Sequence, residues 1–203
     1  RIIALLFWWL GYTAIYALRL PVTYQHGRYL IPAMPVIFLI GMAGTGRILA
    51  IRYSVNRPGW AFGRLTLITL VAVQLIFTCK GAFAYAEDVA IIETEMVATA
   101  EWLNRNTEPD ALIAVHDIGA IGYFSQRPLL DLAGLVSPEV IPFIRDEVQL
   151  AEFLDQEQAE YLVTFPEWYP YLVGRAQPVF ITGGNFAPQA GGENMRVYRW
   201  ASK

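Results

Sequence analysis

Two groups of residues in this chain have the types and spacing to do chemistry. The first lies in YQHGRYLIPAMP at 24–35, where Tyr24, His26, Arg28 and Tyr29 stand directly against a long apolar run. A guanidinium at such an edge can grip a phosphate with a bidentate fork, and the imidazole and hydroxyls beside it add further donors. The same residue types are ordinary anchors at a membrane–water interface, so phosphate binding and anchoring both fit. The second group is His116, Asp117 and Asp131, with Thr164 further on.

These later residues fall at the ends of short apolar runs of strand character, LIAVH, PLLDL and EYLVTF. In an open parallel sheet, ligands favour the crevice beyond the carboxyl ends of the strands. One histidine and two carboxylates there could hold a divalent cation or work as an acid–base pair. Each also has a plain structural role: Asp117 capping a helix, His116 closing a strand, Asp131 accepting backbone amides from the turn LAGL. Spacing favours the structural roles, because the chain has two histidines and no HExxH or CxxC pattern. No GxSxG elbow or GxxxxGK[ST] loop is present, and the glycines of GMAGTGR lie inside an apolar run with no strand before them.

The elements that must position these groups divide by charge. Residues 1–86 hold eight Arg and Lys and no Asp or Glu, whereas residues 87–203 hold all eighteen acids against seven basic residues. Halves so different are unlike partners for one solvent, which predicts a membrane region at 1–86 followed by a water-facing domain at 87–203. An acidic domain repels phosphate backbones, so nucleic acid is excluded as a partner. The single cysteine, Cys79, excludes an intrachain disulfide.

Three spans are predicted, at about 2–18, 30–46 and 65–86, each near the length that crosses ~30 Å of hydrocarbon. Trp8, Trp9, Tyr12 and Tyr16 exceed what an interfacial belt needs, so some should face neighbouring helices. Pro32 and Pro35 fit the first turns of the second span, and Gly41, Gly44 and Gly46 would let another helix approach. Gln74 and Lys80 interrupt the third. A polar path across the bilayer, as a transporter needs, would rest on Gln74 alone. The connection RILAIRYSVNRPGWAFGR carries Arg47, Arg52, Arg57 and Arg64 and no acid, so it should be cytoplasmic and the tail extracytoplasmic.

In the tail, 87–106 has helical spacing, followed by strands at 112–116, PLLDL, 160–165, 178–182 and 195–200. Helices are predicted after Asp117, at 138–145 and at 147–156, and GGNFAPQAGGEN reads as a loop. Strands alternating with helices define a small α/β domain with at least part of its sheet parallel. The chain opens on Arg1 with an apolar run at once, as expected for the C-terminal piece of a longer protein.

The stretch His26-x-Arg28-Tyr29-x-x-Pro32-x-x-Pro35 resembles the C-terminal membrane region of GT-C type glycosyltransferases. The nearest group is the bacterial multi-pass proteins similar to protein mannosyltransferases and aminoarabinose transferases. In the tail, Asp117-x-Gly119-x3-Tyr123-x3-Arg127-x3-Asp131-x2-Gly134-Leu135 resembles the outer domain of uncharacterised members of that group. The resemblance implies an inner-membrane enzyme that moves a sugar from a polyprenyl-phosphate carrier to an extracytoplasmic acceptor. It further implies a catalytic carboxylate in a first outer loop, expected upstream of Arg1, often with a divalent cation. Arg28, helped by His26 and Tyr24, would then meet the lipid phosphate. Asp117, Arg127 and Asp131 would either form a site in the outer domain or lace it together as capping and ion-pair residues. The other reading is a non-catalytic, membrane-anchored binding or assembly module of the cell-envelope polysaccharide machinery. The expected partners are thus the lipid bilayer, the sugar carrier and the missing N-terminal membrane region.

Overall fold

A long uncharged apolar run satisfies its backbone amides and carbonyls within itself as a helix, and the first part of the chain follows that rule. The computed structural model describes residues 2–19, 27–51 and 57–201. The described helices begin with α1 (Ile2–Arg19), a 3₁₀ turn (Arg28–Ala33), α2 (Met34–Ile51) and α3 (Arg57–Ile91). Two helical runs, Arg28–Ile48 and Ala61–Asn106, are long and apolar enough to cross a membrane by length and composition, while Ile3–Arg19 is apolar but shorter.

The second of these runs continues past residue 86 into the segment whose spacing is helical. A π-helical turn (Ile92–Val97) follows α3 directly and passes into α4 (Ala98–Asn106), with no loop between them. Glu87 and Asp88 are the first acidic residues of the chain, but neither residue type stops a helix. The second predicted span has its prolines in its first turns. Pro32 lies in the 3₁₀ turn and Pro35 in the first turn of α2, where a missing amide proton costs nothing.

The chain divides into two compact units, Arg1–Thr78 and Cys79–Lys203. In the first, Trp8, Tyr12 and Tyr16 recur every fourth residue along α1 and continue into Tyr29. Successive ring centroids are 5.5, 4.7 and 5.7 Å apart. The Tyr12 hydroxyl donates to the Tyr29 carbonyl at 2.9 Å, which fixes the 3₁₀ turn against α1. Some of the surplus aromatics thus do face a neighbour. The glycines of α2 do not: a Cβ at Gly41, Gly44 or Gly46 would meet nothing within 4 Å among the described residues. Gln74 turns its amide to Thr78 one turn along its own helix, at 3.1 Å.

The second unit is built on five short strands: β1 (Ile113–Val115), β2 (Leu129–Asp131), β3 (Tyr161–Thr164), β4 (Gln177–Ile181) and β5 (Arg196–Arg199). Their order is β2-β1-β3-β5-β4. β1 pairs in parallel with β2 and β3, while β5 runs antiparallel to both β3 and β4. Between the strands lie α5 (Ile118–Ser125), a 3₁₀ turn (Pro138–Phe143), α6 (Glu147–Gln156), a 3₁₀ turn (Pro166–Trp168), α7 (Pro170–Arg175) and α8 (Phe186–Gln189). α7 and α8 were not expected; α8 occupies part of the segment that reads as a Gly-rich loop.

Side chains alternate across the sheet and fill two cores. Ile113, Val115, Val163 and Val197 pack with Ala100 and Leu103 of α4 and Ile121 of α5. Ala114, Leu130, Leu162 and Tyr198 pack on the other face with Leu150, Ala151 and Leu154 of α6 and Leu172 of α7. Each fully buried Leu or Val contributes roughly 1.5–3 kcal/mol over its exposed state. Right-handed crossovers force this division. The chain moves from β1 outward to β2, then back across β1 to β3, and reversed directions put the two helices on opposite faces.

Candidate site at the carboxyl ends of β1 and β3

That reversal creates the place where a ligand fits. The chain leaves β1 toward α5 on one face and leaves β3 toward α7 on the other, so the loops diverge between the two strand ends, where this topology expects a ligand crevice. His116 follows β1. Phe165, Trp168 and Tyr169 follow β3, held by the 3₁₀ turn that Pro166 starts.

The two loops meet through one bond. His116 Nδ1 and the Tyr169 hydroxyl are 2.6 Å apart. Tyr169 is buried, and its phenol is pushed up to about 12, first by burial and then by the charges of Asp131 and Glu147, so it keeps its proton. Burial lowers His116 below the usual imidazole value, opposed by the negative charges of Asp117 and Asp131. With the phenol as donor the neutral imidazole accepts through Nδ1, and in that tautomer its own proton sits on Nε2. Trp168 stands edge-on to the imidazole, with centroids 4.9 Å apart and planes at 76°, and packs on Phe165 at 5.0 Å. Its indole is still 47% exposed.

The carboxylates around the crevice are occupied to different degrees. Asp117 caps α5, its Oδ1 accepting from the Gly119 amide at 3.4 Å. Asp131 is fully buried and accepts from the amides of Ala133 and Val136, each at 2.8 Å, and of Leu135. Ser137 Oγ accepts from the Asp131 amide at 3.1 Å, and Gly134 supplies the positive φ of 74° that the turn needs. Thr164 is buried and donates its hydroxyl to the Phe165 carbonyl at 3.0 Å, inside the backbone rather than into the crevice. Among the described residues no three His, Cys, Asp or Glu side chains gather as metal ligands would.

Arg127 lies elsewhere. It precedes β2, at the opposite end of that strand from Asp131. Nη2 donates to the carbonyls of Asn104 at 2.7 Å and Thr107 at 2.8 Å, Nε to Thr107 Oγ1 at 3.1 Å, and Nη1 to the Ser125 carbonyl at 3.2 Å. These groups close the carboxyl ends of α4 and α5, where carbonyls lack helical partners and a cation suits the dipole. Arg127 therefore laces the domain by capping rather than by an ion pair, and it does not join Asp117 and Asp131.

Arg28 opens the 3₁₀ turn before α2, exposed, its Nη2 3.2 Å from the Tyr29 hydroxyl and its Cζ 5.1 Å from the Tyr29 ring centroid. No acidic side chain pairs with it among the described residues. Tyr24 and His26 lie outside the described residues.

Sequence reasoning missed Trp168, Tyr169 and Glu95. The first two carry a readable signal, an aromatic pair between Pro166 and Pro170 directly after a strand. Glu95 carries none. It sits fully buried in the π-helical turn and accepts from the Met195 amide at 2.8 Å, from Asn194 Nδ2 at 3.1 Å and from the Thr182 hydroxyl.

Strand order and pairing together define a mixed α/β domain whose topological switch point lies between β1 and β3. Residues 82–198, more than half of the chain, match the family described as Domain of unknown function (DUF8728), and the chain belongs to that family. No curated protein and no solved structure matches it.

Proposed function

We propose that this chain is the C-terminal portion of a GT-C type integral membrane glycosyltransferase that uses a polyprenyl-phosphate sugar donor. In this reading three spans at about 2–18, 30–46 and 65–86 lie in the plasma membrane, and the α/β domain is extracytoplasmic. The observation that carries the proposal is Arg28. It is an exposed guanidinium at the mouth of the apolar run Arg28–Ile48, held by Tyr29 and paired with no carboxylate among the described residues. A cation so placed suits the phosphate of a lipid headgroup.

The step is a displacement. The acceptor hydroxyl attacks the anomeric carbon, and the bond from that carbon to the lipid phosphate breaks. The phosphate leaves with the electron pair, and the hydroxyl proton passes to a carboxylate base that the resemblance places upstream of Arg1. Arg28, with His26 and Tyr24, steadies the charge growing on the phosphate. A divalent cation, if the full enzyme uses one, would act at that base.

The test is Arg28→Ala in the full-length protein, with transfer and membrane insertion measured in parallel. Transfer should fall about 100-fold with insertion unchanged, and Arg28→Lys should recover part of the loss. Unchanged transfer would remove Arg28 from the reaction. The second reading, a non-catalytic membrane-anchored binding or assembly module, draws on the family match, which is confined to the sheet domain and the helix before it. It predicts that deleting residues 87–203 abolishes transfer only when a second envelope protein is present.

A further inference from the structure

We infer that the crevice between β1 and β3 is a binding site for a neutral sugar ring, stacked on Trp168 and hydrogen-bonded by His116 and Asp117. The inference stands apart from the transferase reading, since it concerns binding by the domain alone.

Three observations carry it. Trp168 offers a rigid apolar plate: Phe165 and His116 hold the indole at 5.0 and 4.9 Å, and nearly half of its surface remains open. Few ligands want an aromatic plate set directly beside polar groups. A pyranose ring does, because its axial C–H bonds form an apolar face and its equatorial hydroxyls radiate from the rim. The Trp168 and His116 ring planes cross at 76°, and the exposed part of the indole is the plate on which a flat ligand can stack.

The polar groups supply one donor and one acceptor. Tyr169 occupies His116 Nδ1, so Nε2–H is left to donate, and no protein acceptor meets it among the described residues. Asp117 spends Oδ1 on a long bond to the Gly119 amide, leaving Oδ2 as an acceptor. A sugar hydroxyl is both donor and acceptor, and adjacent hydroxyls satisfy both.

Charge decides against the commonest alternative. The charged groups acting on His116 and Tyr169 are the carboxylates of Asp117, Asp131 and Glu147. A phosphate or carboxylate ligand would be repelled, and a neutral polyol would not.

The experiment uses the full chain in lipid nanodiscs, labelled with 5-fluorotryptophan and read by ¹⁹F NMR. The probes are glucose, galactose, mannose, arabinose and N-acetylglucosamine at millimolar concentration, with inorganic phosphate and tetramethylammonium as the competing ligand classes. At least one sugar should shift the Trp168 resonance, assigned by its disappearance in Trp168→Phe, and leave those of Trp102 and Trp200 in place. Trp168→Ala should weaken sugar binding about tenfold, as detected by saturation transfer to the sugar. Unmoved Trp102 and Trp200 resonances show that the variant is folded. His116→Gln keeps a donor and should retain more binding than His116→Ala. A Trp168 resonance that no sugar moves, or that only phosphate or tetramethylammonium moves, overturns the inference.

Discussion

The imidazole of His116 and the hydroxyl of Tyr169, 53 residues apart in the chain, meet at 2.6 Å across the crevice between β1 and β3. The contact ties the loop after β1 to the loop after β3.

The pair makes His116 sensitive to pH in a definite direction. Burial holds its folded value below that of the unfolded chain. As pH falls through the unfolded value of about 6.5 the unfolded state takes up a proton first, so stability drops and then levels off below the folded value. Chemical denaturation between pH 8 and pH 5 should show this loss in the wild type and a flatter profile in His116→Gln. ¹⁵N spectra at neutral pH should report the Nε2–H tautomer, and Tyr169→Phe should release it to a mixture. An Nδ1–H tautomer in the wild type would show that the imidazole, not the phenol, is the donor.

Arg127 should prove a structural residue. Arg127→Lys keeps the charge but cannot reach the carbonyls of Asn104, Thr107 and Ser125 together. It should cost about 1–3 kcal/mol in denaturant unfolding, with the affinity of any ligand of the crevice unchanged in the folded protein. Lost affinity without lost stability would place Arg127 in the site after all.

Glu95 should anchor the β4–β5 connection to the π-helical turn. Glu95→Ala strands the Met195 amide, the Thr182 hydroxyl and the Asn194 amide in a buried place and should cost about 3 kcal/mol. Gly184→Ala should act on the same joint, because a Cβ there would run into Glu95 and come within 2.8 Å of the Thr94 side chain. Amide exchange in residues 182–195 should accelerate in both variants. Exchange that stays slow there would show that other contacts hold the connection.

The elements were legible because their causes are local. Short apolar runs mark β1, β2 and β3, and Asp117 beside an apolar helix marks a cap. The turn after Asp131 could be read from a carboxylate, small residues and a glycine within a few positions. Each depends on neighbours two to five residues away, so each is written in the sequence itself. The change of charge after residue 86 shows locally too, but that the helix runs on through it depends on what its next turns pack against.

The site was half legible. His116, Asp117 and Asp131 could be placed at strand ends by sequence alone, since any α/β alternation puts them there. That Arg127 serves two helix ends, that Thr164 turns into the backbone, and that Tyr169 and Trp168 complete the crevice were decided only by tertiary structure. The chain order β1, β2, β3 becomes the spatial order β2, β1, β3 because right-handed crossovers on opposite faces return the chain past its own first strand. That packing choice, made by two hydrophobic cores over many residues, is what brings Tyr169 to His116.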